Sequence, residues 1–228
     1  MRTFTRIKQK LIRTFPFLGG VQRYLYRFKP YPAKFRAYYL DGGWNNPETT
    51  SGPGSTLDAT RVVRQHLPGL FDKFHIRTVV DIPCGDFNWM SEVDLGGVLY
   101  EGYDIVPELV EANRSQYSAD NIKFGRRDLM KDSLPRADLI ICRDCLLHYP
   151  NSHVHRAVRN MKESGSRYLL TTTFTNLETN SDLEAIGHFR PANLERAPFN
   201  FPAPLMVIDE GEGNGKSLAL WSLEEIAV

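Results

Sequence analysis

Between residues 78 and 172 the chain switches repeatedly between two hydrophobic periods, and no other feature of the sequence restricts the fold as much. Short apolar or β-branched runs occur at 78–82, 99–103, 122–124, 139–142 and 168–172, each of strand length. Helix-compatible stretches separate most of them, clearest at 107–117 and 152–163. Strand, helix, strand at this spacing implies parallel neighbours joined by right-handed crossovers, so an open, doubly wound α/β sheet is expected. Two later runs, 205–208 and 218–221, have no helix between them and flank Gly211, Gly213 and Gly215. They read as a C-terminal antiparallel hairpin, completing a mostly parallel seven-stranded sheet.

The chain before the sheet differs in charge. Residues 1–36 hold ten Lys or Arg and no acid, against 18 basic and 27 acidic residues in the remainder. Phe4, Ile7, Leu11 and Phe15 share one helical stripe; Val21, Tyr24, Leu25 and Phe28 repeat it after a break at Pro16 and Gly19-Gly20. Two short amphipathic helices are expected. Such an arm suits a peripheral membrane contact, a polyanion, or a cap packed on the body with its charges solvated. Residues 31–55, rich in Pro, Gly, Asn and Ser, read as an ordered linker or loop, so 1–50 is taken as arm and linker and 51–228 as the domain. Ser55 is expected to cap a helix through Val62 and Val63, and Pro68 to start a second one ending at Phe74.

With 42% hydrophobic and 24% charged residues, disordered, collagen-like and coiled-coil chains are excluded. No apolar run reaches the length of a spanning helix. An uninterrupted secretory core is missing, which leaves an Arg-rich targeting peptide as a further reading of the arm. Three cysteines point to a reducing compartment, and the expected location is cytoplasmic, with the arm as the candidate for peripheral membrane attachment.

Chemistry concentrates where the strands end. Val79-Val80-Asp81-Ile82-Pro83-Cys84-Gly85-Asp86 is a buried-type strand running into an acid and a tight turn, and ligands of doubly wound sheets sit beyond the carboxyl ends of strands. Gly85 leaves room for close approach. Asp104, followed by Ile105, ends the next strand at a spacing suited to accepting ribose hydroxyls. Asp128, followed by Leu129, comes after the third and could accept from an adenine amino group. The plainer alternatives are that Asp81 only ends a strand and Asp104 only caps the helix at Pro107. Trp89 either lines the cleft or packs the first helix on the sheet. A dinucleotide site needs a glycine-rich pyrophosphate turn, whereas here Pro83 and Phe87 replace glycines and Asp86 adds repulsion. An acidic rim instead suits a positively charged cofactor such as the sulfonium of S-adenosylmethionine.

The block Asp81-Ile82-Pro83-Cys84-Gly85-Asp86-Phe87-Asn88-Trp89-Met90, with Cys142-Arg143-Asp144-Cys145 and Thr171-Thr172-Thr173-Phe174-Thr175-Asn176, resembles class I S-adenosylmethionine-dependent methyltransferases. The resemblance is to methyltransferase-domain proteins of bacteria and large viruses, some associated with glycan-modifying genes, and runs from about residue 51 to 228. It implies that Asp81, Pro83, Cys84 and Gly85 wrap the methionine end of the cofactor, Asp104 its ribose and Asp128 its adenine. Of the family's glycine-rich first motif only the middle glycine, Gly85, is present.

In the doubly wound order the fourth strand ends beside the first, which brings Arg143, Asp144 and His148 to the crevice. A hydroxyl is a poor nucleophile at neutral pH, so Asp144 or His148 is the expected general base, with Arg143 orienting a substrate or cofactor carboxylate. In the structural alternative His148 caps the next helix and Asp144 pairs with Arg143. Cys142 and Cys145, with Cys84 and His148, also allow a zinc site or a redox dithiol, although buried cysteines commonly act as small hydrophobes, and no metal is expected. The irregular residues 188–204, with Arg190, Asn193, Phe199, Asn200 and Phe201, read as a lid or specificity element. No Asn/Asp-Pro-Pro-aromatic motif follows the fourth strand, which favours oxygen as acceptor atom. The expected reaction is methylation of a hydroxyl on a small molecule, glycan or glycoconjugate. An RNA or protein acceptor reached through the arm, and a non-catalytic scaffold, are the alternatives.

Overall fold

The computed structural model describes residues 30–41, 46–211 and 213–227; both amphipathic helices expected in the arm lie outside them. Seven strands form one sheet: β1 (Thr78–Asp81), β2 (Leu99–Asp104), β3 (Ile122–Arg126), β4 (Leu139–Cys142), β5 (Tyr168–Phe174), β6 (Met206–Asp209) and β7 (Lys216–Ser222). Their order is β3-β2-β1-β4-β5-β7-β6. The first five pair in parallel, and β7 runs antiparallel between β5 and β6. The expected hairpin is therefore present, inserted so that its second strand joins the sheet.

Period-2 alternation sends neighbouring residues to opposite faces. Val79, Leu139, Ile141, Leu218 and Leu220 enter one core cluster, while Val80, Ile140, Cys142, Ala219 and Trp221 enter the other. Because β4 lies centrally and is covered on both sides, all four of its residues are buried, as expected of a strand in a doubly covered parallel sheet. Helix α1 spans Tyr31–Asp41, α2 Arg61–Lys73, α3 Pro107–Tyr117 and α4 Asn151–Glu163. Helix α2 packs Val63, Leu67, Leu70 and Phe71 on one face of the sheet, and α4 packs Val154, Ala157, Val158 and Met161 on the other.

Three local expectations need correction. Residues 31–41 are helical rather than linker: Pro32 falls in the first turn, where its missing N–H matters little. The helix escapes a periodicity search because none of its residues is fully buried. Pro68 does not start a second helix but lies inside α2. It forfeits one backbone hydrogen bond, a cost of about 3 kcal/mol for an interior proline, against complete burial of Val63, Leu67 and Leu70. Each such side chain contributes about 1.5–3 kcal/mol, so burial wins. Ser55 does not cap this helix either; it ends a short 3₁₀ turn, Pro53–Ser55, and the residue before α2 is Thr60.

The crossover from β1 to β2 carries no α-helix, only the 3₁₀ turn Met90–Glu92. Trp89 is buried in the core cluster that α2 shares with the sheet. The carboxyl ends of β1 and β4, adjacent strands whose following connections lead to opposite halves of the sheet, open the crevice in which the site lies.

Candidate functional site

A cavity of about 820 Å³ occupies this crevice, within the range of small-molecule sites. One half is built by the ends of β1 and β2. Asp81 is 2% exposed and accepts the Tyr100 hydroxyl at 2.7 Å. Burial pushes its carboxyl up to about 7 against the Tyr100 hydrogen bond, which lowers it. Asp104 is also buried. Its carboxylate accepts the Val106 N–H at 2.9 Å and the Gly85 N–H at 3.3 Å, yet burial still raises it to about 6. Two carboxyls raised by burial at neighbouring strand ends make this edge of the crevice a candidate ligand site. Pro83, Cys84 and Gly85 line the wall between them, and Ile105, Val106, Leu109 and Leu129 form an apolar floor. Gly85 adopts φ 58°, and a Cβ there would stand 2.3 Å from Ser51 Oγ, so glycine is required.

The other half is charged. Arg143, 6% exposed, stacks over Trp89 at 5.6 Å and pairs with Asp144 at 3.2 Å and Glu210 at 2.5 Å. Lys216 joins the same two carboxylates at 3.1 and 3.3 Å. Asp144 sits in the left-handed backbone region, φ 51°, a conformation that short polar residues tolerate and that recurs at functional sites. Burial would raise its carboxyl, but Arg143 and Lys216 beside it hold it below the usual carboxylate range. Its Oδ1 also accepts from the Thr172 hydroxyl at 3.1 Å.

His148 stands apart from that network. Burial lowers its imidazole against the His188 carbonyl and Asp144, which raise it. Nδ1 lies 3.0 Å from the His188 carbonyl oxygen; a carbonyl can only accept, so Nδ1 carries the proton and Nε2 keeps its lone pair. A neutral imidazole with a free Nε2 at a cavity wall can take a proton. Phe189, 60% exposed, lies beside it with ring centroids 5.9 Å apart.

No protein-family model matches the sequence, and no curated protein matches it significantly. Solved structures do match. Magnesium protoporphyrin IX methyltransferase (ChlM) from Synechocystis PCC 6803 with bound SAM superposes with a TM-score of 0.57 at 15% identity, over 85% of this chain and 97% of that one. The fold is that of the class I methyltransferases. TnmH gives 0.54 at 20% identity over 73% of this chain, and human N-acetylserotonin methyltransferase in complex with SAM gives 0.51 at 15% over 75%. This chain spans 57% and 59% of those two proteins, under two thirds of either.

Within this methyltransferase fold, Asp81, Pro83, Cys84, Gly85, Trp89, Asp104, Ile105, Leu129, Arg143, Asp144 and His148 all line the one cavity. Asp128 does not. Its carboxylate accepts the Tyr31 hydroxyl of α1 and the Met130 N–H at 3.0 Å. Cys84, Cys142, Cys145 and His148 form no metal-ligand group, and none of three or more His, Cys, Asp or Glu exists among the described residues. All three thiols are buried, and burial pushes Cys84 and Cys142 well up, opposite to what a reactive dithiol needs.

Sequence reasoning missed Glu210 and Lys216, brought in by the antiparallel hairpin, and the segment 50–55 with Phe35, Tyr38 and Tyr39 of α1, which line the cavity from outside the sheet. The signal for Lys216 was present: a lone lysine opening an otherwise apolar strand, 7% exposed in the fold.

Proposed function

We propose that the protein is an S-adenosylmethionine-dependent methyltransferase that methylates a hydroxyl group. One observation carries the reading: a single cavity joins buried acids at the ends of β1 and β2 to a histidine beyond β4. The donor set fits the cofactor. Buried carboxylates accept hydroxyl and ammonium donors, the apolar floor suits a purine, and the turn after β1 has only Gly85 of the glycines that a pyrophosphate loop there needs. S-adenosylmethionine supplies, when bound, a methyl group already activated on a sulfonium.

The chain's residues divide the remaining work. Asp104 accepts ribose hydroxyls, with its carboxylate already aligned by the Val106 and Gly85 amides. Ile105 and Leu129 of the apolar floor contact the base, and Asp81, Pro83, Cys84 and Gly85 surround the methionine portion. His148 Nε2 takes the acceptor's proton. Asp144 is the weaker base of the two expected, because its carboxylate is held ionised and occupied by Arg143, Lys216 and Thr172; it orients instead. Alignment of donor and acceptor contributes roughly 7–11 kcal/mol and the base about 10²–10⁴-fold in rate, so positioning dominates.

Association of similar proteins with glycan-modifying genes makes a glycan or glycoconjugate hydroxyl the favoured acceptor, with other small hydroxylated molecules next. No helix among the described residues is long and apolar enough to cross a membrane, and membrane or polyanion contact is assigned to residues 1–36.

Calorimetric titration with S-adenosylhomocysteine tests the reading. Wild-type protein binds it and Asp104→Ala does not at concentrations that saturate the wild type. Equal affinity in the two proteins, or no binding to either, overturns it.

A further inference from the structure

Asp86, which the sequence suggests only as a repulsive element, gathers a part of the chain that lies before the sheet. Its Oδ2 accepts the Thr49 hydroxyl at 2.8 Å, the Thr50 N–H at 2.6 Å and the Thr50 hydroxyl at 3.1 Å. Its Oδ1 accepts the Ser51 hydroxyl at 3.0 Å, and Ser51 Oγ in return accepts the Asp86 N–H at 2.9 Å. The far end of the segment is tied as well. Glu48 accepts the Leu57 N–H at 2.7 Å and the Asn88 side-chain amide at 2.8 Å, and the same amide donates to the Ser55 carbonyl at 3.2 Å.

Between these ties residues 51–55 form a strap across the crevice. At one end a Cβ on Gly85, after β1, would meet Ser51 Oγ at 2.3 Å; at the other a Cβ on Gly54 would meet Asp144 Oδ2, after β4, at 2.9 Å. Ser51, Gly52, Pro53, Gly54 and Ser55 all line the cavity. The strap thus bridges the ends of the two strands between which the reacting groups are to sit, and closes the cavity on that side.

We propose that Asp86 is a positioning residue: through Thr49, Thr50 and Ser51 it holds the strap as the wall against which the methionine portion of the methyl donor rests. This rests on the methyltransferase reading above. It assigns the charge of Asp86 to the protein's own chain rather than to the ligand, so an acid one residue beyond Gly85 is compatible with the site.

Two variants separate strap from charge. Asp86→Asn keeps the shape but places an amide against donors, and Ser51→Ala removes the strap's own hydroxyl while leaving the carboxylate intact. Hydrogen bonds to a charged group carry enough free energy that each loss should weaken S-adenosylhomocysteine binding about tenfold or more. The expected result is that loss in both variants, with faster hydrogen exchange at the Thr50 amide and exchange in the β1 and β4 amides as in wild type. Wild-type affinity in both variants overturns the proposal while leaving the methyltransferase reading intact. Weakened binding in Asp86→Asn alone, with Thr50 exchange unchanged, also overturns it, because charge and not the strap would then be at work. If wild-type protein binds no S-adenosylhomocysteine, the donor reading falls with the donor clause of this proposal; Thr50 exchange still reports whether the strap hangs on Asp86.

Discussion

Asp81 illustrates how a buried, cavity-lining acid can oppose the stability of its own fold. With its carboxyl at about 7 in the folded protein against an ordinary 3.8, the folded state keeps a proton that the unfolded chain has released anywhere between those values. Stability from this group therefore falls as pH rises through that window. The penalty above it is on the order of 4 kcal/mol, at about 1.4 kcal/mol per unit. Asp81→Asn removes the ionisation and retains an oxygen for the Tyr100 hydroxyl. Its melting temperature should exceed that of the wild type by several degrees at pH 8 and match it near pH 4; a gain of equal size at both values would show that ionisation is not the cause. His148→Gln is expected to lower methyl transfer about 10²–10⁴-fold with S-adenosylhomocysteine affinity unchanged, and a parallel loss of affinity would instead make it a binding residue. That Asp81, Gly85 and Asp104 face the crevice was legible because each ends or follows a strand at the carboxyl edge of a doubly wound sheet. Glu210 was not, since only the docking of the hairpin brings it to Arg143; Lys216 stood out as a lone lysine opening its strand, but its partner Asp144 is set by the pairing of β7 with β5, which leaves no local pattern.

At the scale of elements, the parallel strands and α3 and α4 follow from period and spacing, and the hairpin from its glycines. Helix α1 does not. It is held by a few polar ties, the Tyr31 hydroxyl on Asp128 and Arg36 on Glu108, and by Phe35 against Tyr149 at 6.4 Å, rather than by an apolar stripe. Asp128, expected as an adenine acceptor because it follows the third strand, is engaged by a hydroxyl of this helix. Burial and the neighbouring Asp128 push the Tyr31 hydroxyl far up, so it remains a donor throughout the working pH range. Removing it by Tyr31→Phe should cost about 1 kcal/mol locally and speed hydrogen exchange in α1 without altering exchange in the sheet. Unchanged α1 exchange would mean that the aromatic contacts alone secure the helix.

The whole molecule combines a cationic N-terminal stretch with an acidic remainder. If residues 1–36 meet a polyanion, retention on immobilised heparin should fall steeply with salt, and replacing the six Lys and Arg at positions 2, 6, 8, 10, 13 and 23 with Gln should abolish it. Retention unaffected by those changes would place the contact elsewhere. The stretch between β5 and β6 bears differently on function. It contains no regular helix or strand, yet Asn180 and Asn193 cross-brace its backbone: the Asn180 amide donates to the Asn193 carbonyl at 2.8 Å and the Ala197 carbonyl at 2.9 Å, and the Asn193 N–H returns to Asn180 Oδ1 at 2.8 Å. The Asn193 side-chain amide in turn donates to the Leu177 carbonyl at 2.8 Å, so two side chains tie together a connection that has no crossover helix. Gly187, Phe189 and Pro191 line the cavity within the connection so braced, and the Gly187 and Arg190 N–H groups donate to the His148 and Leu147 carbonyls at 2.9 and 3.1 Å, so the same brace steadies the backbone that carries His148.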